Sequence, residues 1–99
     1  MTAAVEFYWR PGCPFCTMLR ARLRSTGLPV REVNIWADPD AAARVRAVAD
    51  GNETVPTVLV SGHALVNPGF KAVLRAVREH APELLPAERP AHWRAWTRS

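Results

Sequence analysis

The sequence has few of the features that mark secreted, membrane or metal-binding proteins. No apolar stretch approaches the length of a membrane span, and the apolar run near the start is short and interrupted by Glu6. The histidines, His63, His80 and His92, show no paired ligand spacing, and a zinc site would need about two ligands beyond the cysteines. We therefore expect a cytoplasmic protein that has no membrane segment and holds no metal.

Lysine is nearly absent, since the 13 basic residues comprise twelve arginines and one lysine, and the formal net charge is +4. A basic excess can indicate nucleic-acid or anionic partners. Here, however, Arg20, Arg22 and Arg24 alternate along a helix-like segment and point in different directions, and no basic block with interleaved aromatics precedes the tail. We interpret the charge as a solvated surface and expect no nucleic-acid partner.

Only two cysteines are present, and they stand together as Cys13-Pro14-Phe15-Cys16 between an apolar run and a helix-like segment. Two intervening residues in the first turn of a helix bring the sulfurs within bridging reach. Cys13 would then lie beside unpaired backbone N–H groups, which favour a thiolate, and Pro14 suits the first helical position. Arg10 would add positive charge near the sulfur. The motif predicts a redox-active dithiol with Cys13 as nucleophile; a structural disulfide and half of a zinc site are the alternatives.

The pattern of apolar residues predicts one small domain in the order βαβαββα. With 48% hydrophobic residues, most of the chain is expected to fold around a modest core. Asp38 and Asn67 are the expected N-caps of the second and third helices, and the first strand, helix and strand imply a right-handed parallel crossover. Strands are predicted over 4–9, 30–35, 57–60 and 64–66, and helices from 14 to about 26, from 39 to Gly51 and from 68 to before Pro82.

Helical spacing of the apolar residues also predicts which faces are buried. Phe15 and Met18 are expected on the inner face of the first helix together with Leu19 and Leu23. Val48 is expected on the inner face of the second helix.

The aromatic residues near the dithiol carry further expectations. Tyr8 alternates with Trp9 along the first strand and should face the opposite side of the sheet. Trp9 is expected either to pack in the core or to form a platform beside the site. Trp36 is expected to cover part of the core rather than to contact a ligand, and His63 to lie in an exposed turn.

Thr54-Val55-Pro56 stands immediately before the third predicted strand and forms, with the dithiol upstream, the second diagnostic element. Together with the element order, it makes about residues 3–80 resemble the glutaredoxin family. Two stretches, 51–58 (GNETVPTV) and 65–68 (LVNP), look most like the actinobacterial mycoredoxins. The resemblance implies an α/β, thioredoxin-like fold of glutaredoxin type, with a four-stranded mixed sheet flanked by three helices and followed by a C-terminal extension.

The resemblance also implies roles for individual residues. Pro56 would follow a cis peptide bond and lie against the dithiol, while the Val55 backbone would pair with a bound low-molecular-weight thiol. Cys13 and Cys16 would be the catalytic pair. The residues expected to bind the thiol or the substrate are Arg10, Pro14, Phe15, Thr54, Val55, Pro56 and Asn67.

Departures from the family pattern bear on which thiol is used. Glutathione-using members usually carry Lys where this chain has Arg10, and a Gly-Gly-x-Asp element where it has 67–70 (NPGF). Phe15 replaces the commoner Tyr. These differences make mycothiol the expected co-substrate rather than glutathione. Asn67 is expected either to contact the thiol or only to cap the last helix.

The function implied by the resemblance is that of a thiol-disulfide oxidoreductase that reduces protein mixed disulfides with mycothiol and has no bound cofactor. Its partners would be mycothiolated or disulfide-containing proteins and mycothiol itself. A separate NADPH-dependent reductase would regenerate mycothiol, and the protein is expected to be a monomer. The alternatives are a dithiol redoxin reduced directly by thioredoxin reductase, an iron–sulfur carrier in which two chains hold a cluster through Cys13, and a binding module that uses the Trp-rich tail.

The last part of the chain lies outside the resemblance, so we divide the sequence into a redox domain over 1–81 and an extension over 82–99. Pro82, Pro86 and Pro90 interrupt the extension, while Trp93 and Trp96 stand three apart and would share one side of a short helical turn. A docked turn is the main expectation. A mobile tail and a partner contact are the alternatives.

Overall fold

Residues 4–85 are described in the computed structural model, and their elements follow the predicted βαβαββα order. None of the helices in this range is long and apolar enough to cross a bilayer. The strands are β1 (Val5–Trp9), β2 (Val30–Asn34), β3 (Thr57–Val60) and β4 (His63–Val66), and the helices are α1 (Pro14–Arg24), α2 (Pro39–Val48) and α3 (Phe70–His80).

The strands form one mixed sheet in the order β2-β1-β3-β4. β1 runs parallel to β2, with Val5 opposite Val30, and antiparallel to β3, with Phe7 opposite Val58; β3 and β4 form an antiparallel hairpin. The ends of β1, β2 and β4 therefore meet the start of β3 at one end of the sheet. This end carries the loops that contain the cysteines and the Thr54-Val55-Pro56 element.

Both faces of the sheet are covered, and β1 contributes a fully buried aromatic side chain to each. Phe7 packs with α1 and α3, whereas Tyr8 packs with α2 on the opposite face, so the predicted separation of Tyr8 from Trp9 is confirmed. The Tyr8 hydroxyl donates to Glu6 Oε1 at 3.0 Å and accepts from Arg44 Nε at 3.1 Å. Its burial therefore leaves no unpaired polar atom.

The start of the predicted extension is joined to the domain. A short 3₁₀ helix, Pro82–Leu84, follows α3, and Leu84 and Leu85 pack against the core on the Phe7 side of the sheet. The helical turn predicted around Trp93 and Trp96 lies outside the described residues. The division of the chain at residue 82 stays a prediction.

The two expected N-caps behave differently. Asp38 caps α2, since its carboxylate accepts backbone N–H groups of the first turn at 3.0 and 3.3 Å. The expectation that Asn67 caps α3 is wrong, because the helix begins at Phe70 and its N-cap is Gly69, which makes no side-chain bond. Asn67 has a φ of +51°, which Asn tolerates, and its N–H donates to the Pro56 carbonyl at 2.8 Å. It therefore ends β4 rather than starting α3.

Two side chains predicted on the inner face of α1 point to solvent instead. Phe15 is 66% exposed and Met18 is 65% exposed, whereas Cys16 and Leu19 are buried. Each exposed residue precedes a buried one by one position, which turns its side chain about 100° around the helix. Apolar spacing alone did not separate these two stripes.

Three smaller expectations are also corrected. Val48, the last residue of α2, is 40% exposed, whereas the next residue, Ala49, is buried. Trp36 lies in the turn after β2 and is 63% exposed, so it does not cover the core. His63 begins β4 opposite Val60, because the hairpin turn needs only the two left-handed residues before it, with φ of +48° and +82°.

A matched pair of valines tests the assignment of the core. Val77 in α3 is fully buried, whereas Val48 in α2 is exposed, and both lie in helices. We expect Val77→Ala to lower the free energy of unfolding by about 2 kcal/mol, and Val48→Ala to change it by less than about 0.5 kcal/mol. Urea unfolding monitored by circular dichroism measures both. Equal effects of the two substitutions would contradict the packing described here.

Candidate active site

The loop after β1 delivers Cys13 to the start of α1. Gly12 has a φ of +77°, which glycine adopts without strain, and Pro14 opens the helix. Cys13 is the N-cap residue, and its Sγ accepts a hydrogen bond from the Cys16 N–H at 3.2 Å. The first turn of α1 contains no acidic residue. The N–H group and the positive end of the helix dipole therefore stabilise negative charge on the Cys13 sulfur.

Cys13 is less open than its place at a helix start predicts. Its exposed fraction is only 5%, although the neighbouring Pro14 and Phe15 are exposed. The loop before β3 lies against it, since the Cys13 Sγ is 3.9 Å from the Val55 carbonyl oxygen, to which the thiol donates. An incoming disulfide therefore meets the Val55 loop as it reaches the sulfur.

Cys16 lies one turn further along α1 and is 1% exposed, as its predicted inward position requires. Burial and a side-chain hydrogen bond with Cys13 raise the pKa of the Cys16 thiol from 9.0 to about 12, although the backbone and charge of Arg10 lower it. Both thiols are free. Cys16 therefore keeps its proton at neutral pH, and the two sulfurs are chemically unequal.

Hydrogen bonds on both sides hold the loop before β3, while the Val55 N–H within it is left unpaired by the residues that the structure describes. The Val55-Pro56 peptide bond is cis, which confirms the expectation. Thr57 Oγ1 donates to the Thr54 carbonyl at 2.7 Å, and the Asn67 N–H donates to the Pro56 carbonyl. Within residues 4–85, the Val55 N–H has no hydrogen-bond partner. A donor beside the dithiol is therefore free for a ligand.

A groove of about 320 Å³ opens beside Pro56, between α1 and the start of α3. Most of its wall is apolar, and the Arg22 guanidinium lies 4.5 Å from the Phe70 ring centroid at its far end. The groove explains why Phe15 and Met18 are exposed. Its lining comprises Phe15, Met18, Leu19, Arg22, Pro56, Asn67, Pro68, Gly69 and Phe70.

Arg10 lies on the other side of the dithiol from this groove. Its guanidinium is 5.8 Å from the Trp36 ring centroid, and its Nη1 donates to the Pro11 carbonyl at 3.4 Å. Its charge also lowers the pKa of Cys16. Arg10 is therefore within electrostatic reach of the sulfurs, as the sequence predicts, but it does not line the groove.

The predicted site residues fall into a centre and two flanks. Cys13, Cys16, Val55 and Pro56 form the centre, and Thr54 fixes their loop. Pro14 is exposed at the helix start. Phe15 and Asn67 lie in the groove, whereas Arg10 lies on the Trp36 side.

Several residues around the site were not predicted as part of it. Among them, Met18, Arg22 and Phe70 line the groove, and Trp36 contacts Arg10. Phe15 and Met18 stand three positions apart, which places them on one face of a helix, but such spacing is equally typical of a face buried in the core. Trp36 follows the second predicted strand and was expected to cover part of the core rather than to contact a ligand.

The described part of the chain offers little for binding a metal ion. Across residues 4–85, no three or more His, Cys, Asp and Glu side chains are grouped so that they could hold one. The stacked rings of His63 and His80, with centroids 3.6 Å apart, join β4 to the end of α3.

The fold and the site together define a thioredoxin-like protein with a dithiol at the start of a helix and a cis-proline loop facing it. The crystal structure of the thioredoxin-like protein BC3987 shares this fold, with a TM-score of 0.65 and 22% identity; the match covers 73% of this chain and 97% of that one. The structure of a buckwheat glutaredoxin–glutathione complex also shares it, with a TM-score of 0.58 and 20% identity, and the match covers 83% of this chain and 76% of that one.

The sequence comparisons give the family. The glutaredoxin family model matches residues 5–65. A Mycobacterium tuberculosis protein named as a glutaredoxin is 38% identical over 74 residues, which cover 74% of this chain and 88% of that protein. The chain belongs to the glutaredoxin family and is a thiol-disulfide redoxin.

The inequality of the two thiols is open to direct measurement. Near pH 8, we expect iodoacetamide to alkylate Cys13 in Cys16→Ser at least about tenfold faster than Cys16 in Cys13→Ser, because burial keeps the Cys16 thiol protonated. The Cys16 rate should still rise as the pH increases toward about 10. Mass spectrometry follows both reactions, and in urea the two rates should converge. Equal rates in the folded variants would contradict the assigned environments.

Proposed function

We propose that this redoxin uses Cys13 to remove mycothiol from protein mixed disulfides. The observation that carries the proposal is the placement of Cys13: its sulfur accepts the Cys16 N–H at 3.2 Å and lies beside the Val55 backbone. Charge stabilisation and a free backbone donor therefore meet at a single sulfur. Such a sulfur is suited to attack a disulfide whose cysteinyl part pairs with that backbone.

In the first step, the Cys13 thiolate attacks the mycothiol sulfur of the mixed disulfide. A bond forms between Cys13 Sγ and that sulfur, and the bond to the protein sulfur breaks. The electron pair leaves with the protein thiolate, which then takes a proton from water. The Cys16 N–H donates to the attacking sulfur and holds it in position. The Val55 N–H donates to a carbonyl of the cysteinyl part of the thiol.

The second step releases Cys13. A second mycothiol thiolate attacks the bound mycothiol sulfur, so mycothiol disulfide leaves and the Cys13 thiolate is restored. Cys16 offers another route, in which it loses its proton and attacks Cys13 Sγ, releasing mycothiol and leaving an internal disulfide. Burial, the largest cause of the raised Cys16 pKa, persists after Cys13 has reacted, so Cys16 stays a poor thiolate at neutral pH and the route through a second mycothiol is favoured.

The groove supports mycothiol over glutathione. The γ-glutamyl end of glutathione carries an ammonium group and a carboxylate, whose burial needs charged partners. The first turn of α3, which borders the groove, contains no acidic residue, and Arg22 is the one charged residue of 4–85 that lines the groove, so the ammonium group has no acidic partner there. Mycothiol has a neutral acetyl group on the corresponding nitrogen, and this group needs no such partner.

The proposal includes the setting in which the redoxin works. Its substrates are mycothiolated or disulfide-containing proteins of the cytoplasm, and it acts as a monomer. Mycothiol disulfide is returned to mycothiol by a separate NADPH-dependent reductase.

Serine substitutions separate the roles of the two cysteines. We expect Cys13→Ser to abolish the release of mycothiol from a mycothiolated peptide, because the attacking sulfur is gone. Cys16→Ser should keep most of the rate when mycothiol is supplied, because a second mycothiol completes the cycle. Chromatography of the freed peptide measures both variants. A comparable loss in Cys16→Ser would instead show that the internal disulfide is an obligatory intermediate.

The choice of thiol is tested with two matched substrates. One peptide is prepared as a mixed disulfide with mycothiol and with glutathione, and each form is supplied with its own thiol and coupled reductase. We expect kcat/KM to be about tenfold or more higher for the mycothiol pair. If the glutathione pair is turned over as fast, the protein is a glutaredoxin without mycothiol preference.

A further inference from the structure

Trp36 is a large apolar side chain that is exposed although its backbone is held in place. The side chain is 63% exposed. The Trp36 backbone N–H donates to Asn34 Oδ1 at 2.9 Å, and the Ala37 N–H donates to the Asn34 carbonyl at 3.1 Å, which closes the turn around Trp36. The Ile35 N–H donates to the Trp9 carbonyl at 2.9 Å and ties this turn to the end of β1. The indole is therefore presented to solvent on a fixed backbone.

Arg10 connects this indole to the dithiol. The guanidinium lies 5.8 Å from the Trp36 ring centroid, within the range of a cation–π contact. It comes from the loop that begins at the end of β1 and leads to Cys13 three residues later. A ligand attached to the Cys13 sulfur therefore reaches Arg10 first and Trp36 beyond it.

The order of the strands places the binding groups in a row. Trp36 follows β2, Arg10 follows β1, Val55 precedes β3 and Asn67 follows β4, all at one end of the sheet. Since neighbouring strands lie about 4.8 Å apart, the Trp36 turn is about 10 Å from the Val55 loop. A thiol whose cysteinyl part pairs with Val55 has one end directed to the apolar groove and the other to Trp36.

The two flanks differ in chemistry, and the two ends of mycothiol differ in the same way. On one side of its cysteine, mycothiol carries a small acetyl group, which suits an apolar groove. On the other side it carries a sugar linked to an inositol, which present C–H faces and many hydroxyl groups. An exposed indole packs against such C–H faces, while the five N–H donors of a guanidinium serve hydroxyl oxygens.

We propose that Trp36 and Arg10 form a subsite for the sugar part of the low-molecular-weight thiol. This inference rests on the proposed function, since it requires a thiol that carries sugar rings. The sugar packs on the open face of the Trp36 indole, and Arg10 donates to its hydroxyls from the side of the dithiol. Trp36 thereby contributes to the selection of the thiol without touching the reacting sulfurs.

The test compares two mixed disulfides of one peptide, with mycothiol and with N-acetylcysteine, which lacks the sugar and the inositol. Fully reduced protein reacts with each in a single turnover without added thiol, and the release of the peptide thiol reports only the first sulfur exchange. Wild type should react faster with the mycothiol form. In Trp36→Ala, the ratio of the two rates should fall by about fivefold. Trp36→Phe, which keeps an aromatic face, should restore more than half of the lost ratio.

Val48→Ala is the matched control, because Val48 is an exposed apolar residue on α2 that lines neither flank. It should keep the wild-type ratio. Urea unfolding midpoints check that each variant is folded. An unchanged ratio in Trp36→Ala, or an equal loss of rate on both substrates, would overturn the subsite.

Adding the glutathione mixed disulfide of the same peptide as a third substrate keeps this inference separate from the proposed function. A wild-type protein that reduces the glutathione mixed disulfide as fast as the mycothiol form defeats the mycothiol assignment. A wild-type protein that prefers mycothiol to glutathione, but reacts equally with mycothiol and N-acetylcysteine, supports the assignment and overturns the sugar subsite.

Discussion

The hydrogen bond from the Cys16 N–H to the Cys13 sulfur is the interaction on which the chemistry of this protein depends. It exists only because α1 begins at Pro14, which in turn requires β1 to end at Trp9 and the chain to turn at Gly12. The same helix turn that gives Cys13 a donor places Cys16 in the core, where burial holds its proton. One local geometry therefore makes the two sulfurs chemically unequal, which is the basis for proposing Cys13 as the attacking group.

The sheet extends this geometry into a binding surface. β3 lies next to β1, so the loop that precedes it reaches the Cys13 sulfur, and the Asn67 N–H ties that loop to the end of β4. Four strand ends thus bring together a reactive sulfur, a free backbone donor, an apolar groove and an exposed indole. Within residues 4–85, hydrogen bonds hold the loops around the site to neighbouring elements, as between Asn67 and Pro56 and between Ile35 and Trp9.

Features set by neighbours in sequence were predictable, and features set by packing were not. β3 was predicted to the residue, and the start of α2 was found from Asp38, because strand and cap signals are local. The burial of Cys13 was missed, since its cover comes from Val55 across the fold. The helical spacing of Phe15 does not distinguish it from a core residue. Asn67 was predicted to cap α3, but it lies in the left-handed turn that ends β4, and the helix begins later.

The exposed apolar side chains are suited to binding a ligand. Among the described residues, Phe15, Met18 and Trp36 are the most exposed large apolar side chains. Phe15 and Met18 line the groove beside Pro56, and Trp36 contacts Arg10. Burying such a side chain stabilises a protein by roughly 1.5–3 kcal/mol, a gain that folding forgoes here. A ligand recovers part of it on binding. Because the apolar residues flank the sulfur on opposite sides, the proposed binding holds a thiol that covers both flanks with its own sulfur between them, at Cys13. In the proposed reaction, recognition of the two ends therefore also selects which sulfur of a mixed disulfide is attacked.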